Sequence, residues 1–332
     1  MKRKILSGIQ PTSQITLGNF LGAIKLFKQF EEDDLFIFVA DLHALSSNNY
    51  DPKNMQQNIM NVLKVYYAAG LDFDKTKIFI QSKVKAHTEI FNALLNFTTI
   101  GELKRMTQFK DKSQKFKLSN GTETIPTSLL TYPVLMAGDI LLYDTQLVPV
   151  GIDQKQHVEL TRDIAIRINN KFKTNIFSIP EPFFAKTSTK IYDLINPKIK
   201  MSKSNANVNG TIFITDDIEI TRKKIMSAMT DNFNKVNHDY INQPGITNLI
   251  NIASSILDKD VLEIVNQTKD MNYKEFKNYI ADIVCSFISK LQEKIKEINE
   301  EELLKKVNNN NQICNEIADK KLLEFYKLIG IR

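Results

Sequence analysis

The sequence predicts an α/β protein, a parallel sheet with helices on both faces followed by a smaller all-helical domain. Three observations carry that prediction. Short β-rich runs alternate with amphipathic helical stretches through the first half, as parallel strands joined by crossover helices require. The run Leu35 to Ala40 is apolar throughout, as in a strand covered on both faces. Beyond Ser204 the strand-like runs stop and helix-period sequence takes over. A length of 332 residues suits two such units with a large apolar core.

Taken in order, Lys4 to Gly8 is the first predicted strand. After a turn at Pro11 to Ser13, Leu17, Phe20, Leu21, Ile24 and Phe27 recur at three- and four-residue spacing and give one helix an apolar face. Leu35 to Ala40 is the second strand and ends at Asp41, Leu42 and His43. A helix is predicted from Asp51-Pro52, an N-cap and first-turn proline, to Gly70, a C-terminal cap. Ile78 to Ile80 is the third strand, with a long helical stretch from His87 to Phe109 after it. Lys110 to Lys117 reads as a mobile basic loop that leads into polar Ser119 to Thr124. Thr127 to Tyr143 is an unusually apolar helix that nevertheless contains Asp139. Leu147 to Val150 is the fourth strand, and Gln154 to Phe172 is amphipathic again. Proline, serine and threonine crowd Pro180 to Ser188 and mark a change of character, and Asn-rich interruptions punctuate the helices after Ser204. The last helix, Ile313 to Leu328, can pack back on either domain.

Composition narrows the function. Hydrophobic residues at 42% and charged residues at 25% exclude a disordered tail, and no apolar run is long enough for a bilayer crossing. The N-terminus lacks an extended apolar segment and a small-residue cleavage site, so a cytoplasmic protein, or one of an organelle matrix after processing, with no membrane partner is expected. Cys285 and Cys314 are too few and too far apart for a disulfide framework or a CxxC metal site, and buried thiols are expected. Up to Tyr192 there are 24 Lys plus Arg against 18 Asp plus Glu, and 20 of each beyond, so the +6 excess sits in the first part. Bulk charge therefore does not mark the helical part as an RNA binder.

The motifs GxxxxGK[ST], GxGxxG and HExxH are missing, which argues against a P-loop ATPase, a dinucleotide dehydrogenase and a zincin. No His, Cys or acidic spacing suggests a resident metal; His87, His157 and His238 lack ligand spacing, and His157 reads as structural. The distinctive string is Lys200-Met201-Ser202-Lys203-Ser204, between the two predicted domains. Two lysines three apart on flexible neighbours can flank a triphosphate and stabilise departing pyrophosphate; the alternative is a solvated basic loop. Thr16-Leu17-Gly18-Asn19 opens the first helix directly after the first strand, where backbone N–H groups attract phosphate and Gly18 gives a base or ribose room; the alternative is an ordinary Thr N-cap.

Taken with Ser7 to Thr12, Leu17 to Phe20, Thr107 to Lys110, Leu130 to Pro133, Met136 to Tyr143, Val148 to Gly151 and Asp153 to His157, the Lys200 to Ser204 string resembles the bacterial-type tryptophanyl-tRNA synthetases of class I, in order and spacing. The resemblance implies a Rossmann-like catalytic domain (1–192), a helical tRNA anticodon-binding domain (193–307) and a C-terminal helix (308–332). It implies activation of L-tryptophan by ATP with Mg2+, transfer to the terminal adenosine of tRNA(Trp), and a homodimer. By resemblance the ATP site takes Gln10, Pro11, Thr12, Gly18, Asn19, Gly151, Ile152, Asp153, Ile191, Lys200, Met201, Ser202, Lys203 and Ser204, with Lys112, Lys200 and Lys203 on the leaving pyrophosphate. The tryptophan pocket takes Asp139 for the indole N–H, Met136, Val148 and Val150 as walls, and Tyr132, Gln154 and Gln108 at the amino-acid end, bordered by His43. A buried carboxylate needs a donor, and a site built for that donor rejects phenylalanine. Most members of the family that the chain resembles carry glutamate where it has Ile152, and an aromatic and an alanine are usual where it has Leu6 and Gly138. A tyrosyl-tRNA synthetase and a non-catalytic RNA-binding relative are the alternatives.

Overall fold

The computed structural model describes residues 2–12, 14–47, 50–116, 124–184, 190–202 and 207–331. Five parallel strands, β1 (Lys4–Ile9), β2 (Asp34–Val39), β3 (Lys77–Ile80), β4 (Leu147–Pro149) and β5 (Glu181–Phe183), form one sheet in the order β3-β2-β1-β4-β5. Strand β2 shows why helices cover both faces. Leu35, Ile37 and Val39 join one core, with Leu17, Ile24 and Phe27 of the first helical stretch and Leu63 of helix Met55–Ala68. Phe36 and Phe38 join the other, with Ile90 of helix Ala86–Leu95, Val134 of helix Thr127–Leu141 and Ile164 of helix Lys155–Phe172. Each such buried side chain contributes roughly 1.5–3 kcal/mol, so a one-residue slip that exchanges the two faces is strongly disfavoured.

The strand order reverses between β1 and β4, where open parallel sheets form a ligand crevice beyond the carboxyl ends of their strands. These two strands pair at Ile5 opposite Leu147; further along, the Ser7 hydroxyl donates to the Pro149 carbonyl at 3.2 Å.

Several sequence expectations need correcting. The pattern misses β5, because Glu181-Pro182-Phe183 lacks alternation and carries a proline that an edge strand tolerates. The stretch expected as one helix from His87 to Phe109 is divided into Ala86–Leu95, Ile100–Arg105 and Thr107–Ser113. Thr99 restarts it with a capping box: its Oγ1 accepts from the Glu102 N–H at 3.2 Å and Glu102 Oε2 accepts from the Thr99 N–H at 2.8 Å. The basic segment from Lys110 is not a loop as far as Phe116, since it continues helix Thr107–Ser113 into a 3-10 turn; residues 117–123 lie outside the described part. The helix predicted from Asp51 begins at Met55, because Asp51 instead closes a turn, accepting from the Lys53 N–H and Asn54 Nδ2. Gly70, at φ +86°, does end that helical segment.

Helices Ile218–Met226, Pro244–Leu257, Val261–Thr268 and Tyr273–Lys296 lie beyond the helices that cover the first sheet face, Tyr273–Lys296 packing against Met55–Ala68, and Ile246, Phe276 and Ile288 continue the core that contains Ile5 and Leu17. The last helix is longer than expected, Glu300–Ile329, and it absorbs the asparagine run 308–311 rather than being interrupted by it. Tertiary hydrogen bonds override the poor helix propensity of asparagine there. Asn310 Nδ2 donates to the carbonyls of Phe73 (3.0 Å) and Thr76 (3.3 Å), and the Ile80 N–H of edge strand β3 donates to Asn311 Oδ1 at 2.9 Å. Cys314, Leu322 and Phe325 bury the second half of this helix in the other core. Asn311→Ala is expected to strand the Ile80 N–H and cost about 1–3 kcal/mol, read as a lower urea midpoint at unchanged m-value. Cys285 and Cys314 are free and buried, and among the described residues no helix is long and apolar enough to cross a membrane.

Candidate active site

A cavity of about 460 Å³ opens where the strand order reverses. Its floor comes from β1 and β2. A Cβ on Gly8 would stand 2.8 Å from the Phe38 carbonyl oxygen and 3.1 Å from the Phe38 ring, so glycine is what lets that ring lie against β1. Leu6 and Phe38 contribute the apolar floor, and Val148 and Val150 form the wall on the β4 side. Helix Thr127–Leu141 supplies Tyr132, Met136 and Asp139, whose spacings of four and three residues put all three on one face. His43, Gln108 and Gln154 complete the lining, so the eight residues expected around tryptophan share one cavity.

Asp139 is fully buried and meets three nitrogen donors. His43 Nε2 lies 2.7 Å from Oδ2, His87 Nδ1 lies 2.6 Å from Oδ1, and Gln81 Nε2 sits 2.8 and 2.9 Å from the two oxygens. Burial pushes the Asp139 pKa up, but His43 and His87 more than offset it and hold the carboxyl well below the usual carboxylate range. An ionised carboxylate only accepts, so both histidines carry their proton on the facing nitrogen. The three side chains make four contacts to the two oxygens, Gln81 Nε2 being shared between them, on a charged group that borders the cavity.

The sequence reading missed Gln81 and His87. Gln81 follows the last residue of β3, a strand end facing the crevice, and that position was the available signal. His87 is brought to Asp139 across 52 residues of sequence, which no local pattern encodes.

A second polar chain lies nearer the rim. The Tyr132 hydroxyl donates to Gln108 Oε1 at 3.1 Å and therefore receives from His157 Nε2 at 2.9 Å, which leaves His157 Nδ1 a bare buried lone pair. Lys112 Nζ donates to the same Gln108 oxygen at 2.9 Å and stands 5.5 Å over the Tyr132 ring. Burial raises the Tyr132 pKa, with Asp153 adding to it, so the hydroxyl keeps its proton. Burial lowers the His157 pKa from 6.5 to about 4, helped by Lys112 and His43 and opposed by Asp153. Between those two values the unfolded chain binds more protons than the folded one, so stability falls as pH drops through that window. Urea titrations at pH 7 and pH 5 are expected to show a larger loss in the wild type than in His157→Gln, which keeps a donor for Tyr132 but does not titrate.

On the nucleotide side, Gln10, Thr12, Asn19 and Gly151 also line the cavity. Thr16 is an N-cap, its Oγ1 accepting from the Asn19 N–H at 3.0 Å. Gly18 does not open toward a base: its α-carbon seats Met201 and Ile191, whose Cβ atoms would lie 3.4 and 3.6 Å from an added Cβ. Ile191 and Met201 are buried in that contact, tied by the Met201 N–H to the Ile191 carbonyl at 2.9 Å, and Pro11 is buried as well. Ile152 and Asp153 are exposed, and Asp153 Oδ1 would stand 2.6 Å from a Cβ on Gly151. Lys200 is exposed on a bridge to Tyr192, and the Ser202 carbonyl accepts from Thr211 Oγ1 at 3.0 Å. Lys203 and Ser204 lie outside the described residues.

A doubly wound parallel sheet with an apolar, carboxylate-backed cavity at its strand reversal, flanked by a capped helix start and lysines, defines a Rossmann-like nucleotide-binding enzyme. The chain belongs to the family described as "tRNA synthetases class I (W and Y)", which matches residues 1–289. The tryptophan–tRNA ligase of Malacoplasma penetrans is 50% identical over 331 residues, covering 99% of this chain and 98% of the relative. The crystal structure of tryptophanyl-tRNA synthetase from Mycoplasma pneumoniae superposes with TM-score 0.89 at 37% identity, over 100% of this chain and 99% of that one. The Campylobacter jejuni tryptophanyl-tRNA synthetase complexed with ADP and tryptophan gives TM-score 0.81 at 32% identity, over 98% and 99%.

Proposed function

We propose that the chain is a tryptophan–tRNA ligase. The carboxylate of tryptophan attacks the α-phosphorus of ATP, the bond to the β-phosphate breaks, and tryptophanyl-adenylate and pyrophosphate form. The tryptophanyl group then passes to the terminal adenosine of tRNA(Trp), and AMP leaves. The single observation that carries the reading is the buried, ionised Asp139 carboxylate at the wall of an otherwise largely apolar cavity. An indole N–H suits that carboxylate, and a side chain without a donor leaves a buried anion short of a partner.

The rest of the site follows from charge. Adenylate formation asks the protein mainly for positioning and for stabilisation of the departing pyrophosphate. Lys112, already at the cavity, and Lys200 and Lys203 are assigned to it; Gln10, Thr12, Asn19 and Gly151 are assigned to the nucleotide. Tyr132, Gln108 and Gln154 are assigned to the α-ammonium group, close to where the Lys112 ammonium stands in this structure. Mg2+ enters with ATP, held by phosphate oxygens and water, as a small hard cation prefers. The helical region 193–307 is assigned to tRNA, and the working form is taken as a homodimer, which light scattering on the purified chain reads directly.

Pyrophosphate exchange into ATP, measured with each standard amino acid in turn, tests the function. Exchange with tryptophan alone is expected. Exchange with tyrosine would make the chain a tyrosyl enzyme, and no exchange with any amino acid would leave a non-catalytic relative of the fold.

A further inference from the structure

Gln81 and His87 are both fully buried and stand outside the cavity lining, so neither touches a ligand there. Their polar atoms are nevertheless fully engaged, each along a line that ends on Asp139. Gln81 Oε1 accepts from the Leu42 N–H at 3.2 Å, which fixes the amide so that Nε2 faces both carboxylate oxygens. His87 Nδ1 donates to Asp139, and its Nε2 lies within hydrogen-bond distance, 2.9 Å, of the Tyr143 hydroxyl. Tyr143 is itself buried, and burial holds its proton in place. The imidazole is thus engaged at both nitrogens. The third donor, His43, is the one that does line the cavity. Without Gln81 and His87, the carboxylate would keep only His43, on one of its two oxygens.

We propose that Gln81 and His87 are positioning residues for amino-acid selection, holding the Asp139 carboxylate in the orientation in which it borders the cavity. The inference rests on the tryptophan reading of the site and adds residues that the sequence motifs do not reach.

The test compares pyrophosphate exchange with tryptophan and with β-(3-benzothienyl)alanine, the near-isostere in which sulfur replaces the indole N–H, on the full-length chain. Gln81→Met and His87→Leu are expected to lower the preference for tryptophan over the sulfur analogue about tenfold, as loss of one hydrogen bond to a charged group implies. KM for ATP should not change. His87→Asn, which keeps an N–H at the position of Nδ1, is expected to recover most of the preference. If both substrates decline in step in these variants, Gln81 and His87 only fill space and the inference is wrong. Gln81→Met, close to isosteric, decides the matter should His87→Leu fail to accumulate. Asp139→Asn separates the two layers. An unchanged preference there removes the tryptophan reading itself, whereas a lost preference there with an intact one in Gln81→Met and His87→Leu removes the positioning role alone.

Discussion

Replacing Asp139 by asparagine is expected to lower kcat/KM for tryptophan by at least about a hundredfold, with a smaller effect on KM for ATP. The two side chains have the same shape, so the loss is one of chemistry. An amide offers one acceptor oxygen and one donor nitrogen where the structure presents His43, Gln81 and His87, all as donors. Whichever way the amide turns, its NH2 group faces the Gln81 N–H, and the negative charge that draws an indole N–H is gone. Stability should suffer too, because breaking a buried charge network from one side costs about 3–5 kcal/mol. Activity and urea unfolding measured on the same preparation separate the two effects. Wild-type kcat/KM in a destabilised Asp139→Asn chain would mean that the carboxylate holds the fold and takes no part in selecting tryptophan.

Lys112→Met is expected to slow tryptophan-dependent pyrophosphate exchange about 10²–10³-fold, the usual cost of removing one preorganised group that meets developing charge. Tryptophan binding measured without ATP should change little. In this structure the ammonium rests on the neutral Gln108 oxygen and over the Tyr132 ring, contacts weaker than those a triphosphate would offer. Lys112→Arg should keep part of the rate, since the charge remains while its geometry changes. An exchange rate that falls only because the tryptophan dissociation constant rises would move Lys112 from the pyrophosphate to the amino-acid end of the site.

Much of this site was legible in the sequence because its parts sit at places that local pattern identifies. The apolar run ending at His43, the four-then-three spacing of Tyr132, Met136 and Asp139, and the strand leading to Val148 and Val150 each fix a residue relative to a strand end or a helix face. What stayed hidden depends on tertiary packing. His87 reaches Asp139 because helix Ala86–Leu95 lies close against helix Thr127–Leu141, and Gly138 permits the approach: a Cβ there would stand 2.8 Å from Ile90 Cγ2. Read from sequence, Gly138 looks only like a cost in helix propensity. Gly18 shows the opposite error, since a glycine at a helix start suggests space for a ligand and the packing gives that space to Met201 and Ile191. The asparagine run 308–311 reads as an interruption because its value lies in covering the edge of β3, a partner far away in sequence.

The most direct test is a crystal structure of the chain with tryptophan bound. The indole nitrogen should lie within about 3.2 Å of an Asp139 carboxylate oxygen, with the contacts from His43, Gln81 and His87 retained. An indole nitrogen turned to another acceptor or to solvent, while Asp139 keeps only its three protein donors, would contradict the role of that carboxylate and the assignment of tryptophan that rests on it.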